Sequence, residues 1–426
     1  MENGTLQVQA QRVGEETTFG KIIELVEEAQ DSKSNVERLI DRFAKYYTPA
    51  VLLLALIVGI LTKDVELAVT MLVLGCPGAL VIGIPVSNVA GIGNGAKHGI
   101  LLKGSETIQN FSRVNTLVFD KTGTLTWGKP RVTQVLVPPT VNEDDALQQL
   151  VSVEAESEHP LARAIVTAYP AVHKLPVADT QVVTGGGILA TVRGHKIIVG
   201  NLQLLKNNGV QITQAAQAQV QEVTAAGNSV VLLASEQKLA LIVGIKDQLR
   251  PNVQAELTKL TNLGVQNLLL LSGDNQKTVE QIASQLNLTD AKGDLLPEDK
   301  ASYLRELQKQ GQNVAFVGDG VNDSPSLATA DTGIAMGDGT DVAIETADIV
   351  LLHSDFSRLA VTLKLAQATR RNMMQNMALA VGVVLFLLGS LLFGSWLNMG
   401  IGMFVHEASI IVVILNALRL LNQRLK

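Results

Sequence analysis

Hydrophobic positions along these 426 residues are spread unevenly. The uncharged apolar runs lie towards the two ends. Residues 50–61 read AVLLLALIVGIL. At that length a buried core helix competes with a membrane span. Phe43, Tyr46 and Tyr47 just upstream extend the run as an interfacial anchor. Residues 67–92 form a second run, broken by Gly75-Cys76-Pro77-Gly78 and again by Pro85. A third covers 377–393 and is closed by Trp396. A fourth, 400–418, carries His406, Glu407, Ser409 and Asn416. The pattern predicts an α-helical membrane domain of four spans, paired as hairpins over 40–95 and 370–421.

Between the ends the pattern changes. Short apolar runs at 115–119, 268–271 and 314–317 stop at Asp120, Ser272 and Gly318, and helical periodicity follows at places such as 301–310. Runs of this length, bounded by Gly and separated by helices, predict parallel strands of an α/β sheet. Open sheets of that kind hold their sites beyond the carboxyl ends of the strands. Residues 129–243 differ: they are richer in Val, Thr and Gln, with three consecutive glycines at 185–187. They are expected to be an inserted α+β domain.

Composition sharpens this picture. Hydrophobic residues make up 47% and charged residues 17%, against about 25% charged in an ordinary soluble domain; mean hydropathy is +0.25. Disorder and coiled coil are excluded. The net charge of −6, with no basic domain, argues against nucleic acid as a partner. A single cysteine excludes a disulfide scaffold and a Cys-rich metal cluster. Charge also sets orientation. Arg38, Arg42, Lys45, Lys97, Lys103, Arg370, Arg371, Arg419, Arg424 and Lys426 flank the outer ends of the hairpins, whereas the turns 62–66 and 394–399 hold only Lys63. Both hairpins are therefore expected to enter from the cytoplasm, with about 97–371 on that side of a cell membrane.

Three motifs carry the chemistry. Asp120-Lys121-Thr122-Gly123-Thr124-Leu125-Thr126 puts a carboxylate at a strand tip, where it can attack phosphorus. The backbone and hydroxyl oxygens that follow suit Mg²⁺ and phosphoryl groups. Gly318-Asp319-Gly320-Val321-Asn322-Asp323 repeats the strand-to-turn arrangement with two acids, and Asp319 can share the Mg²⁺ with Asp120. Ser272-Gly273-Asp274-Asn275 offers a hydroxyl for the phosphoryl group. Lys300 can offset charge that builds on phosphorus. Alone, the last two read as a turn and a solvated lysine; together with the first they form a phosphoryl-transfer set.

This set resembles P-type ATPases, which are built on a haloacid-dehalogenase-like phosphorylation domain, and the resemblance covers essentially the whole chain. It implies an aspartyl phosphate at Asp120. It also implies roles for Lys121, Thr122, Thr124, Ser272, Gly273, Asp274, Lys300, Asn322 and Asp323 in catalysis, and for Asp120, Thr122 and Asp319 in holding Mg²⁺. The phosphorylation domain would comprise 108–128 and 244–362, with 129–243 as the nucleotide domain. Asp247 matches the family's hinge motif. Ser157-Glu158-His159-Pro160 resembles the nucleotide-domain signature of the heavy-metal-transporting members. That likeness implies an ATP site at Glu154, His159, Pro160, Gly185, Gly187 and Gly200. In isolation His159 would read as a surface or helix-cap histidine.

Cys76-Pro77-Gly78 stands where heavy-metal pumps carry a Cys-Pro-Cys-type triplet, and His406-Glu407 resembles their last-span motif, with Ala408 where Gly is usual. A Cys, His and carboxylate set suits a borderline divalent ion such as Zn²⁺, Cd²⁺ or Co²⁺. One sulfur excludes a multi-thiolate Cu(I) site within one copy. Met373, Met374 and Met377 read as helix packing. The family's actuator loop, Thr-Gly-Glu, is absent from the sequence, and Thr184-Gly185-Gly186 is the nearest string. Residues 13–22 resemble the stretch just after that domain, so 1–22 is expected to be its remnant. The expectation is a chain that accepts phosphate from ATP but turns over poorly and does not transport alone. Its partners would be the metal ion, the bilayer and a separate actuator-bearing chain. Three readings compete: the potassium-pump ATPase subunit, a catalytically poor membrane scaffold, and a membrane-anchored phosphatase.

Overall fold

The computed structural model describes residues 35–139, 141–183, 185–319, 323–337, 345–393 and 397–423. Asn322, Trp396, Arg424, Lys426 and the stretch 13–22 fall outside that set. In chain order the first elements are α1 (Asn35–Thr62), α2 (Val65–Leu74), α3 (Gly78–Lys97), β1 (Ile100–Leu102), α4 (Ser105–Phe111), β2 (Thr116–Asp120), β3 (Thr126–Leu136), α5 (Glu143–Glu154) and α6 (Pro160–Ala168). Next come β4 (Val177–Val183), β5 (Gly187–Val192), β6 (His195–Gly200), α7 (Leu202–Asn207), α8 (Gln214–Ala225), β7 (Ser229–Ser235), β8 (Lys238–Leu249), α9 (Val253–Asn262) and β9 (Asn267–Leu271). The remainder are α10 (Gln276–Leu286), β10 (Asp290–Lys292), α11 (Pro297–Lys309), β11 (Val314–Gly318), α12 (Ser324–Thr329), β12 (Thr332–Met336), β13 (Ile349–Leu351), α13 (Arg358–Phe393) and α14 (Met399–Leu418). The described residues fall into two compact units. One lies within Met1–Leu117, Ala255–Asn267 and Ala301–Lys426, the other within Val118–Gln254 and Leu268–Lys300.

Among the described residues of the first unit, four helical stretches are long and apolar enough to cross a membrane: Lys45–Thr62, Val65–Lys97, Arg358–Leu392 and Met399–Asn422. The second is two helices in series. Pro77 has no amide hydrogen and precedes Gly78, so the helical bonding of α2 stops at Leu74 and α3 restarts at Gly78. The apolar run that begins at 377 is only the end of α13, which starts at Arg358. Ala79, Leu80, Ile84, Met373, Ala380 and Val413 form the core among α3, α13 and α14. Met373 is a packing residue there.

The same unit carries most of a seven-stranded sheet of order β1-β13-β12-β11-β2-β9-β10. β11, β12 and β13 run parallel, and β1 pairs antiparallel with β13. Within this unit the amides of Asn115 and Thr116 donate to the Asn313 carbonyl, and those of Gln266 and Asn267 to the Asn115 carbonyl. These bonds tie together the feet of β2, β9 and β11. Val314–Val317 are fully buried, as a continuous apolar run in a covered parallel sheet must be.

In the second unit, β9 and β10 pair in parallel. Beside them stands a six-stranded sheet of order β3-β8-β7-β6-β5-β4 whose neighbouring strands pair antiparallel. Alternating side chains feed two cores, one against α5 and α6, the other against α7 and α8. This sheet runs from Thr126 to Leu249, a few residues beyond 129–243 at both ends.

Candidate functional site

Asp120 is the last residue of β2, followed by a tight turn over 121–125 in which Gly123 has φ +73°. Its carboxylate is nearly buried, at 6% exposure. One oxygen accepts from Lys300 Nζ at 2.5 Å, the other from the Thr122 amide at 2.9 Å. The ammonium and the amide both favour the ionised form, the one a nucleophile needs. Lys300 is itself buried and rises from α11, 180 residues along the chain.

Thr124 is wholly buried, and its Oγ1 has no hydrogen-bond partner among the described residues. A hydroxyl left open two peptide bonds past Thr122 is a ready contact for a phosphoryl oxygen or a metal-bound water. Carboxylate, carbonyl and hydroxyl oxygens are the donors a hard cation such as Mg²⁺ takes.

Ser272, at 3% exposure, donates from Oγ to Asp274 Oδ2 at 3.0 Å and accepts from the Asp274 amide at 3.1 Å. Asp274 also forms an ion pair with Lys121. Both side chains belong to the predicted site set, but nothing in their spacing announces the pairing. In the first unit, Asp319 follows β11 directly and Asp323, at 3% exposure, opens α12. A Cβ at Gly318 would lie 2.8 Å from Asp323 Oδ2, so the glycine leaves room for that carboxylate.

Asp247, near the end of β8, ties down the strand that leaves the Asp120 turn. It accepts from Thr126 Oγ1 at 2.5 Å and from the amides of Gly128 and Lys129, both at 3.1 Å. Arg250 completes this clamp. It donates to the carbonyls of Gly123 at 2.6 Å and Thr126 at 3.0 Å, and its guanidinium lies 4.6 Å from the centre of the Trp127 ring. Sequence reading did not single out Arg250 or Trp127; their signal was an Arg-Pro pair and a lone Trp beside otherwise assigned motifs.

In the six-stranded sheet, Glu154, His159, Gly185, Gly187 and Gly200 line one cavity of about 490 Å³ with Ser157 and Asn201. Pro160 is not part of that lining; it is the first residue of α6 and faces a neighbouring groove with Arg131 and Arg163. His159 does serve as a helix cap: Nδ1 accepts from the Leu161 amide at 3.2 Å. The neutral ring therefore carries its proton on Nε2. Burial pushes the Glu154 carboxyl up to about 7. Gly187 has φ +145°, and a Cβ there would lie 2.1 Å from the Val199 carbonyl oxygen.

In the membrane part, Cys76 is exposed in the break between α2 and α3. His406, on α14, is 5% exposed, with no hydrogen-bond partner for Nδ1 among the described residues. A Cβ at Gly78 would lie 3.6 Å from His406 Nε2, so the start of α3 packs on that imidazole. Glu407, next along α14, is exposed.

A strand-tip carboxylate held by a buried lysine, on a mostly parallel sheet interrupted by an antiparallel domain, defines a haloacid dehalogenase-like phosphoryl-transfer fold. The family model described as haloacid dehalogenase-like hydrolase matches residues 114–331. A zinc-transporting PIB-type ATPase, solved in its E2.Pi state, superposes with a TM-score of 0.80 at 35% identity, over 95% of this chain and 67% of that one. The probable cadmium-transporting ATPase of Listeria monocytogenes is 37% identical over 99% of this chain and 62% of its own length. The copper-exporting P-type ATPase of Bacillus subtilis is also 37% identical, over 98% of this chain and 53% of its own. The chain belongs to the heavy-metal P-type ATPases, a family of membrane proteins. It spans between about half and two thirds of the length of these relatives. Membership sets aside the potassium-pump and phosphatase readings.

Proposed function

We propose that this chain performs ATP-dependent phosphorylation of Asp120 coupled to movement of a divalent heavy-metal ion of the Zn²⁺, Cd²⁺ or Co²⁺ kind. The observation that carries the reading is the grip on the Asp120 carboxylate by buried Lys300 and the Thr122 amide. An Asp120 oxygen forms a bond to the γ-phosphorus of ATP, the bond from that phosphorus to the β,γ-bridging oxygen breaks, and ADP leaves with the electron pair. Lys300 steadies the carboxylate before attack and the phosphoryl oxygens during it. Thr124 and Ser272 supply hydroxyls at the phosphoryl group. Asp120, Thr122 and Asp319 would hold Mg²⁺, a reading supported by their carboxylate, carbonyl and hydroxyl oxygens, the donors a hard cation takes. Bound there, the metal neutralises phosphate charge. Asn322 and Asp323 are assigned to the same chemistry by their motif.

The adenine is assigned to the cavity of Glu154, His159 and the close-packed glycines. The ion is assigned to Cys76 and His406, with Glu407 as a third ligand. A soft thiolate and an imidazole together suit borderline divalent ions. Names of the relatives span cadmium, copper and zinc; the single thiol of this chain argues for the divalent members of that set.

The test is labelling with γ-³²P-ATP and Mg²⁺. Wild type should give an acid-stable, hydroxylamine-labile phosphoprotein. Asp120→Asn should lower that label by about a hundredfold or more. Undiminished label in Asp120→Asn would refute the nucleophile. Label rising equally with and without Zn²⁺, Cd²⁺ or Co²⁺ would refute the ion site.

A further inference from the structure

Helix α3 carries a ladder of small residues, Gly83, Ser87, Gly91 and Gly95, each four positions from the next. Such spacing stacks them on one helix face and lets neighbouring helices approach. A Cβ at Gly83 would meet Val413 at 2.5 Å and Asn376 at 3.3 Å; one at Gly91 would meet Thr369 at 2.5 Å. α3 is thus pressed against α13 on one side and α14 on the other.

Polar groups sit in the middle of this contact. The single Ser87 Oγ proton is shared between the Gly83 carbonyl of its own helix at 2.7 Å and the Asn372 side-chain carbonyl at 2.8 Å. Asn376 Nδ2 lies 3.0 Å from Ser87 Oγ and 3.3 Å from both the Gly83 carbonyl and Asn372 Oδ1. Asn416 Nδ2 donates to Asn376 Oδ1 at 2.8 Å, and Asn372 Nδ2 to the Asn416 carbonyl at 2.9 Å. Ser87, Asn372 and Asn376 are buried, at 0%, 6% and 1% exposure. These bonds join three helices in one closed network. In a lipid setting a carboxamide that loses its partner finds no water, so such a network permits few registers.

Its place gives it a task. Gly78, where a Cβ would lie 3.6 Å from His406 Nε2, is nine residues before Ser87, and His406 is ten residues before Asn416. At 1.5 Å per residue the network stands about 14–15 Å from the Gly78–His406 contact along both helices. It lies between that contact and the ends of α3 and α14 that carry Lys97 and Arg419. We propose that Ser87, Asn372, Asn376 and Asn416 are positioning residues. They hold α3 in one register against α13 and α14, so that the break bearing Cys76 meets His406. The proposal rests on the ion-site reading above only for the consequence at the metal. The register itself rests on the hydrogen bonds.

Cys76 is the only thiol of the chain, so its chemistry reports the junction directly. The full chain in detergent is treated with a maleimide, with and without Cd²⁺, and the alkylation rate and the Cd²⁺ concentration for half-protection are measured. Ser87→Ala and Asn376→Leu should each shift both readouts by about fivefold or more. Thr369→Val should stay near wild type, because among the described residues the Thr369 hydroxyl bonds to the Leu365 carbonyl of its own helix. Unchanged rate and half-protection in folded Ser87→Ala would overturn the proposal. So would equal shifts in Thr369→Val, which would mean general loosening. Failure of Cd²⁺ to protect wild-type Cys76 would overturn the ion site instead, and the alkylation rates alone would then decide the register.

Discussion

Glu154 shows how a residue's setting adds to its motif. The resemblance pointed to Glu154 as a residue of interest, but not to its burial. Placed at the end of α5 with 6% exposure, its carboxyl is pushed up to about 7. The linkage has a definite sign. Between the ordinary carboxyl range and pH 7 the folded chain keeps a proton that the unfolded chain has lost, so stability falls as pH rises through that window and is level above it. The shift corresponds to about 3 kcal/mol. Glu154→Gln should match wild type near pH 4.5 and exceed it by up to that amount above pH 7, measured by denaturant unfolding. A difference that does not change with pH would refute the assignment. Asp120 and Lys300 tell the complementary story. Both were readable from short motifs, whereas Arg250 and the Lys121–Asp274 pair were not, because a contact between distant positions leaves no local spacing.

Elements were legible where a single physical rule decides them. The Gly-Cys-Pro-Gly break separates α2 from α3 because proline and glycine both end helices. The start of α13 was hidden, since its first half is polar and only the part from 377 is continuously apolar. In the six-stranded sheet the triple glycine marked a close approach, but its partner across the sheet was invisible in sequence. The structure supplies it: Gly187 pairs with Gly200 in the β5–β6 ladder, and a Cβ on Gly200 would lie 2.2 Å from the Gly186 carbonyl oxygen. Neither position has room for a methyl group. Gly187→Ala must therefore push β5 off β6 and deform the wall of the cavity. Nucleotide binding, followed by calorimetry, should weaken by about tenfold or more, with a loss of about 2 kcal/mol in stability. Wild-type affinity in Gly187→Ala would show that this wall does not touch the nucleotide.

At the scale of the chain, sidedness follows from helix directions as well as from charge. Close contacts of α3 with α13 pair Gly83 with Asn376, Gly91 with Thr369 and Gly95 with Leu365, so the two helices run antiparallel. α3 ends at Lys97, two residues before β1, and α13 begins at Arg358, soon after β13; β1 and β13 pair in one sheet. The chain therefore leaves the membrane part after α3 and re-enters it at α13 on the same face. The basic residues Lys97, Lys103, Arg370 and Arg371 cluster at that face, whereas the turn between α1 and α2 holds only Lys63. Positive charge near span ends is retained on the cytoplasmic side. Trypsin added to inside-out vesicles should therefore destroy the Asp120 segment, while right-side-out vesicles should protect it by about tenfold or more. The Lys63 turn should behave in the opposite way, tested by a biotin tag placed there. Equal cleavage in both preparations, with vesicles shown to be sealed, would mean that the charged flanks do not set the orientation.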